Sequence, residues 1–215
     1  LGEPSISCEF FPAKTPEGER TLLGKVVPRL KEISPTFFSV TYGAGGVTQE
    51  KTLGIVDQIQ REQGVPTMAH LTCVGSTREG IGNFLEDAKN SGISNILALR
   101  GDPPPGQDAF VKPERGFEFS YELVEYIRSC GQFGIGVAGF PEGHIACTEG
   151  REVDWDRLKR KVDCGADFII TQLFFDNSDF YTFRDYLRAK GMKVPILAGI
   201  IPILSGRQIQ RFTKL

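Results

Sequence analysis

Glu9 stands between Cys8 and the aromatic pair Phe10-Phe11, with Pro12 close behind. A carboxyl held among apolar groups resists ionisation, because desolvation penalises its charged form. Its pKa then rises towards neutrality, where a general acid works best. A buried glutamate paired with Arg or Lys looks the same in sequence, so Glu9 gains weight from its company. Asp102, in Arg100-Gly101-Asp102, precedes Pro103, Pro104 and Pro105, which fix the exit of a loop. A solvated ion pair in a turn is the plain alternative there. Gln172, in Thr171-Gln172-Leu173-Phe174-Phe175, is a third polar group at the end of an apolar run. An acid, a second carboxylate and an amide suit proton transfer on a bound substrate.

The chain has two histidines, His70 and His144. Two without a third ligand at metal spacing argue for no metal site. Lys159-Arg160-Lys161 is a basic run of the kind that usually faces solvent, and it gains a role if a phosphate lies near. Gly43-Ala44-Gly45-Gly46 lets backbone N–H groups approach an anion.

These residues need elements to hold them. Seven short apolar runs, bounded by Gly, Pro or Asp, read as buried parallel strands: residues 5–10, 37–42, 67–73, 95–100, 134–140, 168–174 and 195–200. Helical patterns lie between them. Over 21–33 the apolar stripe is Leu22, Leu23, Val26, Val27, Leu30 and Ile33, and over 119–130 it is Leu123, Val124 and Ile127. Gly64, Gly92, Gly131, Gly165 and Gly191 stand where these helices should end in a left-handed cap. A doubly wound dinucleotide fold should show G-x-G-x-x-G with an acid about 20 residues on, and the glycines at 43–46 lack that spacing. The series therefore reads as a (β/α)8 barrel in one domain over 1–215, with the eighth strand and last helices absent from this chain and a helix begun at Ser205. In such a barrel, functional groups gather at the carboxyl ends of the strands. Glu9, Thr41, Tyr42, His70, Arg100, Asp102, Phe140, His144 and Gln172 all fall at those ends.

Composition narrows the field further. With 40% apolar and 24% charged residues and a net charge of −2, the chain is an ordinary globular one without the basic footprint of a nucleic-acid binder. No apolar run reaches the roughly 20 residues a membrane helix needs. Residues 1–7 are too short and too little basic for a signal peptide. Five cysteines at irregular spacing fit thiols in a reducing compartment, the cytoplasm by default.

Five segments in register resemble the methylenetetrahydrofolate reductase family: Ser7 to Pro12, Ser39 to Ala44, His70 to Cys73, Leu99 to Asp102, and Thr171 to Phe175. The resemblance implies a (β/α)8 barrel with non-covalent FAD across the strand ends. It implies reduction of 5,10-methylenetetrahydrofolate to 5-methyltetrahydrofolate with NADH or NADPH, by a ping-pong route, in one-carbon metabolism and methionine biosynthesis. On it, Glu9 is the general acid that protonates N10 of the folate, and Asp102 recognises the pterin and stabilises the cationic iminium. Gln172 reads the pterin, Thr41 contacts nicotinamide, and Gln208 and Phe212 match folate- and nicotinamide-contacting positions. For FAD the match carries over Tyr42, His70, Arg100, Gly101, Asp102, Ser120, Phe140, His144, Cys147, Asp154, Arg160 and Lys161, the last two as diphosphate partners.

The sequence departs from the family pattern in places. Phe140 replaces a tyrosine of bacterial relatives, His144-Ile145-Ala146-Cys147-Thr148-Glu149 replaces H-P-E-A, and Arg157 replaces an asparagine of some relatives. Three readings stay open: the NAD(P)H-fed enzyme, the same chemistry fed by ferredoxin or a partner subunit, and a non-catalytic flavin- or folate-binding subunit. A related flavin barrel such as a proline dehydrogenase is more distant. Family analogy implies a homo-oligomer.

Overall fold

The computed structural model describes residues 4–42, 49–103 and 110–212. They group into two compact units, residues 1–135 and 136–215. The first unit holds β1 (Ser7–Phe10), α1 (Pro16–Thr21), a π-helical turn (Leu22–Val26), α2 (Val27–Lys31), β2 (Phe37–Val40), α3 (Gln49–Gln63), β3 (Thr67–Thr72), α4 (Arg78–Asn90), β4 (Asn95–Leu99) and α5 (Ser120–Cys130). β5 (Gly134–Gly139) begins in it and ends in the second. The second continues with α6 (Arg151–Asp163), β6 (Phe168–Thr171), α7 (Asn177–Ala189), β7 (Ile196–Leu197) and α8 (Gly206–Phe212).

The strand order β1 to β7 follows the chain, and the neighbouring strands run parallel. This is the α/β-barrel topology; a doubly wound sheet would reverse its order at a switch point. In the first unit the register pairs Glu9 with Ser39, Ser39 with Met68 and His70 with Leu97.

Period two along the strands then sorts residues into two faces. One face carries Phe10, Phe38, Val40, Ala69, Leu71, Ile96 and Ala98, all buried. The Phe10 and Phe38 rings meet at 5.1 Å on it. It accepts the apolar stripes of the helices: Ile55, Val56 and Ile59 of α3, Ile81, Phe84, Leu85 and Ala88 of α4, and Leu123, Val124 and Ile127 of α5. Each large side chain so buried contributes about 1.5–3 kcal/mol. The other face carries Glu9, Ser39, Thr41, His70 and Thr72 beside Met68, Leu97 and Leu99, so its polar groups gather on β1 to β3.

Local chemistry starts and stops the elements. Thr77 caps α4 by accepting from Gly80 N at 3.1 Å, and Asp176 caps α7 by accepting from Ser178 N at 2.8 Å. Helical structure starts at Pro16, earlier than the apolar stripe from Thr21 suggests. Pro28 explains the π turn: it lacks an N–H, and its ring would collide with the Gly24 carbonyl in a regular α-helix. Widening the turn before it relieves both.

Of the five glycines expected to end helices left-handed, Gly131 does otherwise, with φ 162° and an extended backbone. All seven expected strands are present, each shorter than expected and β6 and β7 the most so. β6 stops at Thr171 because Gln172 turns its own Oε1 onto Leu173 N at 2.8 Å, a local bond that competes with the ladder. β7 shortens with it: beyond Leu197, the Gly199 N–H donates to Thr171 Oγ1 at 2.9 Å instead of to backbone.

That last contact is tight enough to test. A Cβ on Gly199 would lie 2.1 Å from the Thr171 carbonyl oxygen, so the two backbones must part to admit one. Gly199→Ala is expected to cost about 1–3 kcal/mol, as overpacking does. A lower urea midpoint at unchanged slope would show it, and an unchanged midpoint would mean that β7 is not held this closely.

Candidate active site

In the first unit the polar strand face ends in a cluster. Glu9 is the penultimate residue of β1, and its Oε2 lies 3.4 Å from Nε2 of His70 on β3. The His70 side chain is 6% exposed and that of Glu9 44%. Burial raises the Glu9 pKa above the ordinary glutamate value, as its neighbours in sequence suggested. The covering differs from the expectation, however. Phe11 is 66% exposed and no wall of an aromatic cage, so Glu9 is half-open. Its partner is a histidine, not an Arg or Lys. Burial lowers the His70 pKa to about 4, so the imidazole is neutral near pH 7.

Three buried polar atoms on this face have no hydrogen-bond partner among the described residues: Thr41 Oγ1, His70 Nε2 and Thr72 Oγ1. Leaving such an atom unsatisfied costs about 1–3 kcal/mol. Three together, on neighbouring strand ends, suit a polar ligand with several acceptors and donors. Thr72 was not singled out in the sequence, although its place two residues beyond His70 puts it on the same face. The Thr41 backbone is fixed from both sides: its N–H donates to Phe10 O at 2.9 Å and its carbonyl accepts from Thr52 Oγ1 at 3.3 Å. Tyr42 follows, half-buried, and residues 43–46 lie outside the described residues.

The Arg100-Gly101-Asp102 segment is held against β3. Cys73 N donates to Leu99 O and Val74 N to Arg100 O, each at 3.1 Å, so the ladder runs past both strands. Gly101 has φ +86°, and a Cβ there would lie 2.6 Å from Val74 Cγ1. No side chain fits. Arg100 forms no ion pair with Asp102, unlike the plain alternative. Its Nε donates to Glu118 O at 3.1 Å, and its guanidinium lies 4.3 Å from the Phe110 ring centre and 5.5 Å from that of Phe119. Asp102 is exposed, with no hydrogen bond or ion pair to another described residue. Ser120 is buried in the first turn of α5, whose start is closed by Glu122 Oε2 accepting from Glu118 N and Phe119 N. Pro104 and Pro105 lie outside the described residues.

In the second unit, the loop after β5 folds over the start of α6. Trp155 Nε1 donates to Phe140 O at 2.8 Å, and the Phe140 ring meets His144 edge-on at 4.5 Å. Asp154 Oδ2 accepts from His144 N at 3.2 Å. His144 Nδ1 accepts from Ala146 N at 3.0 Å, which leaves Nε2 as the donor of that ring. Cys147 Sγ meets Gly150 O and Arg157 Nη1, and Arg157 pairs with Glu149. That pair ties the exposed segment from His144 to Glu149 to α6. Lys161 Nζ donates to Ala138 O of β5 at 3.2 Å, and its neighbour Arg160 stands on the same last turn of α6.

Gln172 has an exposed side chain. Gln208 has both ends of its amide engaged at home, Oε1 accepting from Leu204 N at 2.7 Å and Nε2 donating to Pro202 O at 3.3 Å. The Phe212 side chain lies outside the described residues. Among the described residues, no group of three or more His, Cys, Asp or Glu is arranged to hold a metal, and no helix is long and apolar enough to cross a membrane.

A family model described as methylenetetrahydrofolate reductase matches residues 1–215. Methylenetetrahydrofolate reductase (NADH) 1 of Arabidopsis thaliana is 45% identical over 212 residues, covering 94% of this chain and 36% of the plant protein. The 5,10-methylenetetrahydrofolate reductase of Escherichia coli K12 is 38% identical over 214 residues, covering all of this chain and 70% of the bacterial one. The chain therefore spans about a third of the plant relative. Among solved structures, an uncharacterised Clostridium thermocellum protein that binds two copies of 5-methyl-5,6,7,8-tetrahydrofolic acid superposes with TM-score 0.65 at 18% identity, over 99% of this chain and 71% of its own. A 2,3-dimethylmalate lyase does so with TM-score 0.63 at 11% identity, over 96% and 72%. At such identities the likeness is one of fold.

The buried His70 has a consequence for acid stability. Its ordinary pKa is 6.5 and its folded value about 4. As pH drops between the two, the unfolded chain takes up a proton that the native chain refuses. Stability is therefore full above pH 6.5, falls as pH drops, and levels off below about 4, by up to about 3 kcal/mol in all. Urea midpoints at pH 7 and pH 4.5 should record that fall in the wild type and a smaller one in His70→Gln. Equal falls in both would assign the titration to another group.

Proposed function

Because this chain belongs to the methylenetetrahydrofolate reductase family, we propose that it is a flavin-dependent oxidoreductase that reduces 5,10-methylenetetrahydrofolate to 5-methyltetrahydrofolate, with NAD(P)H as electron donor. The observation that carries this reading is the polar face of β1 to β3: an acid of raised pKa beside the buried hydroxyls of Thr41 and Thr72, which lack partners among the described residues. Those atoms fit a heterocycle rich in carbonyls and ring nitrogens, as FAD is, better than they fit a packed core. When bound, FAD supplies the hydride chemistry.

The protein's own groups do the rest. Glu9, whose pKa burial raises, gives its proton to N10 of the folate and eases opening of the five-membered ring to a 5-iminium cation. Its half-open carboxyl leaves a side for that contact. Asp102, exposed at the end of β4, supplies negative charge to the pterin and the developing cation. Gly101, by having no side chain, lets the same segment pack directly on Val74 and Thr72 and so fixes where Asp102 emerges. Thr41 is assigned to nicotinamide, and Tyr42, His70, Arg100 and Ser120 to the cofactor.

From the second unit, Gln172 is assigned to the pterin, and Phe140, His144, Cys147, Asp154, Arg160 and Lys161 to the cofactor. Within that group the internal bonds suggest a division. Asp154 and Cys147 shape the loop, while His144 keeps Nε2 as a donor. Gln208, closed on its own helix start, must open before it reaches a substrate. Two substrates that use the cofactor in turn give ping-pong kinetics.

The test is a visible spectrum after adding FAD to the chain. A flavin band at about 450 nm that bleaches anaerobically with NAD(P)H and returns with methylenetetrahydrofolate is the expected result. Bleaching by methyltetrahydrofolate alone would favour a donor subunit instead. Glu9→Gln should still bleach, and should return some 10²–10⁴-fold more slowly. Failure of the wild type to take up FAD would overturn the assignment.

A further inference from the structure

We propose that His70 is a positioning residue for the acid: its neutral imidazole, protonated on Nε2, holds Glu9 Oε2 and so leaves Oε1 to carry the transferable proton. The inference deepens the reductase reading and rests on it. Nε2 of His70 lies 3.4 Å from Oε2 and has no hydrogen-bond partner among the described residues. Its imidazole is almost wholly covered, while the side chain of Glu9 is half-open, which leaves the acid room to meet a substrate. At 3.4 Å the pair lacks the alignment of a hydrogen bond, which a small turn of the Glu9 carboxyl supplies, and catalytic bonds are often long or poorly aligned before substrate binds.

The charge state decides what this contact does. An imidazolium would hold Glu9 ionised and spoil it as an acid; a neutral N–H donor orients it without doing so. Burial is the one cause acting on each of the two groups, and it opposes charge on both. The residues facing the pair from β2 are Ser39 and Thr41, and from β4 Leu97 and Leu99, none of them charged. Other titratable groups on these strands and their ends are Cys8, Tyr42, Cys73, Arg100 and Asp102. Of these, Cys8 and Cys73 belong to the opposite, apolar face by period, and Arg100 is held by Glu118 O and the Phe110 and Phe119 rings.

The step balances. The proton leaves Oε1 for N10, and the bond from the methylene carbon to N10 breaks with its electron pair going to N10. The N5 lone pair closes the iminium, and the charge left on Glu9 meets the Nε2–H of His70.

Two measurements judge the pair. Long-range ¹H–¹⁵N spectra of the full chain read histidine tautomers directly, and with two histidines present the signal lost in His70→Gln is that of His70. The expected state at pH 7 is neutral with the proton on Nε2, unchanged down to about pH 5; the other tautomer, or an imidazolium, overturns the proposal. In stopped flow, His70→Leu should slow reoxidation by methylenetetrahydrofolate at least ~10-fold more than it slows bleaching by NAD(P)H. Its alkaline limb should also move to higher pH, because the carboxylate loses its donor. His70→Gln, whose uncharged amide can donate at similar reach, should restore most of the loss. Equal slowing of both half-reactions would make His70 a cofactor contact only. Should the wild type itself not be reoxidised by methylenetetrahydrofolate, the reductase reading fails, while the spectra still decide the state of the pair.

Discussion

Desolvation on the polar face of β1 to β3 is the constraint on which the rest of this molecule turns. Three polar atoms there are buried without partners among the described residues, each at about 1–3 kcal/mol, and a carboxyl and an imidazole are both pushed towards neutrality. A fold tolerates such a face only if it is strong elsewhere. The same strands supply that strength one residue out of step: Phe38, Val40, Leu71 and Ile96 are fully covered on the opposite face, at about 1.5–3 kcal/mol apiece. Because the side-chain period is two, slipping one strand by one residue would exchange the faces, burying apolar groups where a ligand should sit. Strong packing outside is what fixes the register inside.

Register alone does not finish the site; the strand ends do. At the end of β3, Cys73 and Val74 extend the ladder onto Leu99 and Arg100. Gly101 can then turn left-handed at φ +86° into a space that any side chain would overfill. Arg100 is drawn aside onto Phe110 and Phe119 and onto the Glu118 carbonyl. The result separates a charge that could have neutralised Asp102 from that carboxylate. Lys51 plays a similar role near β1. It ties Ala13 O and Glu19 together, each at 3.0 Å, and so fixes the loop that leaves Glu9.

Much of this was legible because apolar runs and their terminators are local signals. All seven strands, and the start of the last helix near Ser205, follow from runs of Ile, Val, Leu and Phe. The errors arose where a side chain or ring competed with the backbone. Pro28 turned an expected α-helix into a π turn, and Gln172 ended β6 early by bonding its own neighbour. Exposure is a tertiary quantity, so Phe11 beside Glu9 gave no sign that it would point away. Gln208 and Asp154 look alike in sequence as polar residues near helix starts. Only the structure tells that one caps its own helix and the other accepts from the His144 backbone. Thr72 could have been found by counting two from His70, since faces are set by parity.

The partner of Glu9 is the feature that separates an acid from a structural ion pair. Had β3 carried Lys or Arg at position 70, the cation would have favoured carboxylate, and the contact would have been a buried salt bridge of doubtful value. An exposed histidine would titrate near 6.5 and alternate between the two behaviours in the physiological range. A histidine that is 6% exposed on its side chain escapes both. Its cation is too costly to form above about pH 4, yet its ring still has a nitrogen to share. Burial therefore does two jobs with one cause: it lifts the proton affinity of the carboxyl and removes the charge that would have cancelled the lift.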